Sequence, residues 1–248
     1  YNMALPKIKT PTHELKLPST GENIVYRPFL VKEQKILLMA LESEDQSEML
    51  RAIKQIIVNC VVGDIDVDHL PMFDLEYVFL NLRARSVGEI VDLKLSHLGG
   101  TNSDGEECGG KFDYQLDLTT VEVFREEGHD SKIILDEDEG IGIVLKYPTI
   151  AMSDSIQQAA ERSQIEIITD MVITCIDVIF DAEEVYPASE SNPEELSSFL
   201  NDLSQEQFEK ITNFFSSMPK LKHDIEWECS VCGKSEKTEL EGMANFFG

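Results

Sequence analysis

The stretch Trp227-Glu-Cys229-Ser-Val-Cys232-Gly233-Lys234 restricts the fold of this chain more than any other. Cys-x-x-Cys-Gly between two strand-like segments is one knuckle of a zinc ribbon: the turn aims both sulfurs at one point, and glycine accepts the tight backbone. A thioredoxin-type redox pair would instead open a helix after a strand. A tetrahedral ion takes two further ligands. Cys60 and Cys175 fall on apolar helical stripes, where a free cysteine acts as a small hydrophobe. Cys108 differs, because Cys108-Gly109-Gly110-Lys111 echoes Cys232-Gly233-Lys234, and His97 ends the strand upstream.

These residues predict one site of His97, Cys108, Cys229 and Cys232 that joins two β-hairpins through Zn2+. The insertion between His97 and Cys108 is far longer than the roughly two to four residues of a regular knuckle. His223 competes as the fourth ligand, and a hairpin without metal is the alternative outcome. With four protein ligands the ion would be structural, since catalytic zinc keeps an open position for water.

The remaining pattern predicts an α+β fold, helical bundle segments packed with antiparallel β-hairpins, two of which form the knuckle pair. Residues 1–27 read as an extended basic arm and hairpin. Pro6, Pro11 and Pro18 break the arm, while Glu14–Leu17 and Asn23–Tyr26 pair back on each other. Residues 28–88 form an N-terminal helical part. Its first helix takes an apolar face from Phe29, Ile36, Leu37, Met39, Ala40 and Leu41, its second from Met49 to Cys60, its third from Leu75 to Leu82.

Residues 89–149 are β-rich and contain the first knuckle, with strands at Ile90–Leu95, Phe112–Leu118, Lys132–Leu135 and Ile141–Lys146. The acids Asp136–Glu139 lack the alternating carboxylates of a Ca2+ loop and read as a solvated hairpin tip. Residues 150–219 are a C-terminal helical part. A long helix capped by Ser153 or Asp154 would carry an apolar stripe from Ile156 through Ala159 and Ala160 to Val178 and Ile179. An acidic loop follows at Asp181–Pro193, and short helices start at Asn192 and Ser204. Residues 220–248 hold the second knuckle hairpin and a tail. The five parts are expected to interdigitate as one domain.

Charge excludes more than it identifies. Across 248 residues, 21 Lys+Arg stand against 47 Asp+Glu, a net charge of −26. So acidic a surface repels phosphate, which argues against nucleic-acid and anionic-membrane binding. The N-terminal 35 residues are the exception, since Lys7, Lys9, Lys16, Arg27, Lys32 and Lys35 outweigh Glu14, Glu22 and Glu33. They suit docking on an acidic neighbour, or their lysines are merely solvated. Tyr1–Gly21 has no apolar signal core, Met3 reads as the natural start, and the cysteine usage suits a reducing cytoplasm.

No phosphate loop, dinucleotide fingerprint, His-Glu-x-x-His or Gly-x-Ser-x-Gly is present. His13, His69 and His129 stand among polar residues and read as surface side chains. The expectation is a protein that is not an enzyme.

Leu5-Pro6 with Thr10-Pro11, Glu14–Gly21, Tyr26–Glu33, Phe73–Leu80, Leu82–Ala84, Ser86–Glu89, Lys146–Thr149 and Gly242–Phe247 are spread over nearly the whole chain. In them the sequence resembles the baseplate hub subunit and hub-assembly family of T4-like contractile-tailed bacteriophages. The resemblance implies a late structural protein of virion assembly, without a catalytic role. It would act in the host cytoplasm during assembly or in the tail baseplate, on other baseplate hub or tape-measure proteins. It also implies two Cys-x-x-Cys knuckles, of which this chain keeps the second and offers His97 and Cys108 in place of the first. Lys7 and Lys9 with Phe246 and Phe247 are candidate partner-binding residues, although the two phenylalanines would equally cover the protein's own core. A zinc-ribbon adaptor of transcription or replication is the alternative, but the knuckle region 226–241 is itself acidic.

Overall fold

The structure, a computed structural model, describes residues 8–43, 45–97, 108–152 and 163–242. It is mixed α+β with antiparallel sheets, and the chain divides into two compact units. The first comprises residues 1–67, 73–124 and 220–248, the second residues 68–72 and 125–219. Among the described residues no helix is long and apolar enough to cross a membrane.

In the first unit, β1 (His13–Lys16) pairs antiparallel with β2 (Asn23–Tyr26), and Gly21 supplies the positive φ that turns the chain back. β3 (Val61–Val62) extends this sheet from the end of α2, two residues too short to leave a periodic signal. Helix α2 (Gln46–Cys60) opens on Asp45, whose side chain accepts the Ser47 amide at 2.7 Å, and buries Ala52, Ile53, Ile56, Ile57 and Cys60. Helix α3 (Met72–Val87) buries residues on most of its circumference, Phe73, Leu75, Val78, Phe79, Leu80, Leu82 and Ala84 among them, as a central core helix does. Cys60 behaves as a core residue, its thiol pushed up to about 11 by burial.

Helix α1 (Val31–Ser43) differs from the expectation. Ala40 is buried and Ile36 and Leu37 half-buried, but Met39 and Leu41 lie in solvent. The helix meets the core on a narrow face, and its start is fixed by an acid. Glu33, fully buried, accepts the Leu30 amide at 2.9 Å and the Arg27 guanidinium at 3.0 Å.

Beyond α3, β4 (Ile90–Ser96) alternates between core and solvent, with Val91, Leu93 and Leu95 inward. It pairs with β5 (Lys111–Asp117) without a slip, from Ile90 opposite Asp117 to Ser96 opposite Lys111. A second hairpin, β11 (Lys220–Glu228) with β12 (Ser235–Glu241), is joined along β11 by β6 (Glu122–Phe124). One core of Leu80, Leu93, Leu116, Leu221, Ile225 and Trp227 underlies both hairpins.

The second unit is a four-stranded antiparallel sheet in the order β10-β9-β8-β7: β7 (Lys132–Asp136), β8 (Ile141–Leu145), β9 (Ile176–Phe180) and β10 (Val185–Pro187). It packs with α4 (Gln164–Cys175), α5 (Pro193–Asn201) and α6 (Gln205–Ser216), whose starts each carry a capping box, at Ser163/Glu166, Asn192/Glu195 and Ser204/Gln207. The long helical stripe is shorter than expected. α4 ends at Cys175, and the β-branched run from Ile176 pairs on both sides, so Val178 and Ile179 belong to a strand. Ser153, Asp154, Ile156, Ala159 and Ala160 lie outside the described residues. Asp136 turns the acidic tip by accepting the amides of Asp138 and Glu139 at 2.9 and 3.0 Å.

His129 is half-buried, not a free surface side chain. Its ring stacks on Tyr147 and Phe214, and its nitrogens hydrogen-bond Ser217 Oγ at 2.9 Å and Tyr147 Oη at 3.0 Å. Burial, with Arg125 nearby, holds it below the ordinary histidine value.

Candidate metal centre

The β4–β5 and β11–β12 hairpins carry their chemistry just beyond the strand ends, where side chains leave the ladder. His97 follows β4, and its amide donates to Gly110 O at 2.8 Å. Cys229 follows β11, and its amide donates to Lys234 O at 2.8 Å, while Gly233, at φ +70°, returns its own amide to Cys229 O. The first hairpin thus presents His97 and Cys108 from its two hydrogen-bonded loop ends, and the second presents Cys229 and Cys232 from a hydrogen-bonded turn.

The four donors meet. One ligand atom from each of His97, Cys108, Cys229 and Cys232 lies within 4.8 Å of every other. Two approaches run between hairpins: Cys108 Sγ to Cys229 Sγ is 3.4 Å, and Cys232 Sγ to His97 Nδ1 is 3.4 Å. Around a tetrahedral zinc with Zn–S near 2.3 Å and Zn–N near 2.0 Å, such pairs would stand about 3.5–3.8 Å apart. Three soft sulfurs and one imidazole at these separations can hold a metal ion.

Burial and backbone both favour that use. Cys108, Cys229 and His97 are buried, Cys232 half-buried. Gly110 has no room for a side chain, because a Cβ there would collide with the Cys229 sulfur and touch that of Cys108. The backbone has come this close to the sulfurs only because residue 110 is glycine. Amides of Cys232 and Val231 aimed at Cys229 pull its thiol down to about 6 against the effect of burial. Burial pushes Cys108 up to about 11, and its contact with Cys229 adds to the rise.

A fifth residue completes the arrangement. Glu236 Oε1 sits 2.6 Å from His97 Nε2, so the carboxylate fixes the ring with Nδ1 turned toward the sulfurs. This is how metal-bound histidines are oriented from behind. Glu236 lies opposite Trp227 in the β11–β12 ladder. Trp227 meets the His97 ring edge-on at 6.2 Å and stacks on Phe112 at 5.3 Å, covering the cluster with aromatic surface. Nothing in the sequence marks Glu236 among 47 acids; only the ladder register, once known, points to it.

His223 is placed elsewhere, on β11 with its Nε2 3.2 Å from Tyr114 Oη. Cys175 is fully buried and its thiol raised to about 11 by burial. Lys9 is exposed, while Lys7, Phe246 and Phe247 lie outside the described residues.

No curated protein and no solved structure matches the chain. A family model does, that of the T4 bacteriophage base plate protein, over residues 10–248. That stretch includes both hairpins, all four converging donors and most of both units, so the chain belongs to the T4 bacteriophage base plate protein family.

Proposed function

We propose that this baseplate protein is a hub subunit or hub-assembly factor without enzymatic activity, and that one zinc ion locks its two hairpins together as a zinc ribbon. The zinc reading rests on the convergence of three cysteines and a carboxylate-backed histidine in a buried cluster. Zinc takes sulfur and nitrogen ligands in this number, and a fully protein-ligated ion stabilises rather than reacts. The hub reading is supported by the family match together with the hub-like stretches of the sequence. The chain would act by contact with hub or tape-measure proteins in the tail, after assembly in the host cytoplasm.

Glu236 tests the metal part. Glu236→Ala should leave the ligands in place and weaken zinc about 10- to 100-fold, as loss of such a backing carboxylate does. Competition with a chromophoric chelator measures this, and an unchanged affinity would remove Glu236 from the site.

Quantitative mass spectrometry of purified mature particles tests the assembly part. Recovery in small multiples of the tail symmetry is the result expected of a hub subunit. Abundance in infected cells with absence from particles is expected of an assembly factor. Recovery with capsid proteins alone would sink both.

A further inference from the structure

Helix α1 has two apolar faces, and only one meets the protein's own core. On the far side from the buried Glu33 and Ala40, Val31 is 66% exposed, Leu38 51% and Met39 71%, with Leu41 at 52% beside them. Val31, Lys35, Leu38, Met39 and Glu42 stand at i, i+4, i+7, i+8 and i+11, which is one face of a helix. A surface helix ordinarily turns polar residues outward, and a contiguous exposed apolar patch marks a contact surface.

The charges bordering this face say what covers it. Exposed Lys35 lies toward the N-terminal end of the face and exposed Glu42 toward its C-terminal end. A second copy laid antiparallel, with Leu38 against Met39 at the centre, brings Lys35 of each copy to Glu42 of the other. A parallel copy would place lysine against lysine and glutamate against glutamate. The antiparallel arrangement is two-fold symmetric, so every favourable pair occurs twice, and it also opposes the two helix dipoles.

We propose that the outer face of α1 is a self-complementary interface through which two copies of this chain associate, helix against antiparallel helix. It does not depend on metal or on the hub assignment.

Sedimentation velocity on the full-length protein, at micromolar concentrations and low salt, tests the pairing. The wild type should sediment as a concentration-dependent dimer. Leu38→Glu with Met39→Glu should be monomeric, with circular dichroism and melting temperature unchanged, because both side chains are exposed. Lys35→Glu alone and Glu42→Lys alone should each weaken the dimer on the order of tenfold, since each reversal sets two repulsive pairs in place of two attractive ones. The double reversal should recover wild-type association, a signature that a foreign partner on this face would not produce. A wild type monomeric at every concentration overturns the proposal. So does a dimer indifferent to the Leu38 and Met39 changes, or a double reversal that fails to recover.

Discussion

Stripping zinc from the purified protein should lower its melting temperature by more than about 10 °C, and Cys229→Ser should reproduce most of that loss. The expectation follows from what holds the two hairpin ends together. Cys108 and Cys229 are 121 positions apart and Cys232 and His97 135, and few backbone hydrogen bonds, His97 to Gly110 and Cys229 to Lys234 among them, hold the described loop ends that carry them. Without an ion, three sulfurs and an imidazole are crowded in a largely buried cluster beside Trp227. With one, the binding energy is folding energy, about 10–16 kcal/mol in isolated zinc domains. Only part of it is needed here, because both hairpins share a core of Leu93, Leu116, Leu221 and Ile225. Elemental analysis should give one zinc per chain, and a melting curve with and without a strong chelator reads the stabilisation. Protein that is free of metal as purified, takes up none, and melts identically with chelator would remove zinc from the account.

The second large effect is expected at Glu33. Its carboxylate is fully buried and engages Arg27 at 3.0 Å, Lys32 at 3.3 Å and the Leu30 amide at 2.9 Å. Arg27 also donates to the Asn59 and Pro28 carbonyls, so this one acid links β2, the start of α1 and the end of α2. Glu33→Ala leaves the guanidinium and an amide without their shared acceptor. Removing one partner of a buried pair costs about 3–5 kcal/mol. The low end applies, because Arg27 stays 19% exposed and keeps two carbonyls, which corresponds to a fall of about 6–12 °C in melting temperature. A variant melting within a degree of the wild type would refute this.

Acid should act on Glu33 with a definite sign. Burial alone would push its carboxyl up, but Arg27, the Leu30 amide and Lys32 hold it below the usual carboxylate range. Its contribution is therefore complete above the unfolded value, near 4.3, and lost as pH falls through the lower folded value. Asp74 runs the other way. Burial raises it, against hydrogen bonds donated by the Ser19 amide and hydroxyl, so acidification relieves a cost at that site. Glu33→Gln should consequently flatten the acid limb of the stability curve.

Much of the secondary structure is legible because its signals are local. The alternation of Ile90–Leu95 follows from a two-residue period. The helix start at Asn192 and the box at Ser204 follow from side chains that reach along their own helix, and the turn at Gly233 from its own backbone. Short pieces escape that reading: β3 and β6 hold two and three residues and exist only because a neighbouring strand offers a free edge. Val178 and Ile179 fit a helical stripe as well as a strand, and the edges of β8 and β10 decide. α1 shows a similar limit. Its apolar residues surround the helix, and periodicity cannot say that Met39 and Leu41 face outward.

By itself the sequence determined the pieces of this protein: its acidic character, its helices and hairpins, and a cysteine knuckle that implies metal chemistry. Tertiary structure alone decided that His97, and not His223, stands with the three cysteines, that Glu236 braces it, and that Gly110 makes the space. These are relations between hairpins more than a hundred residues apart. Local geometry fixes where a side chain points on its own strand. Only the packing of both hairpins on one core fixes what it points at.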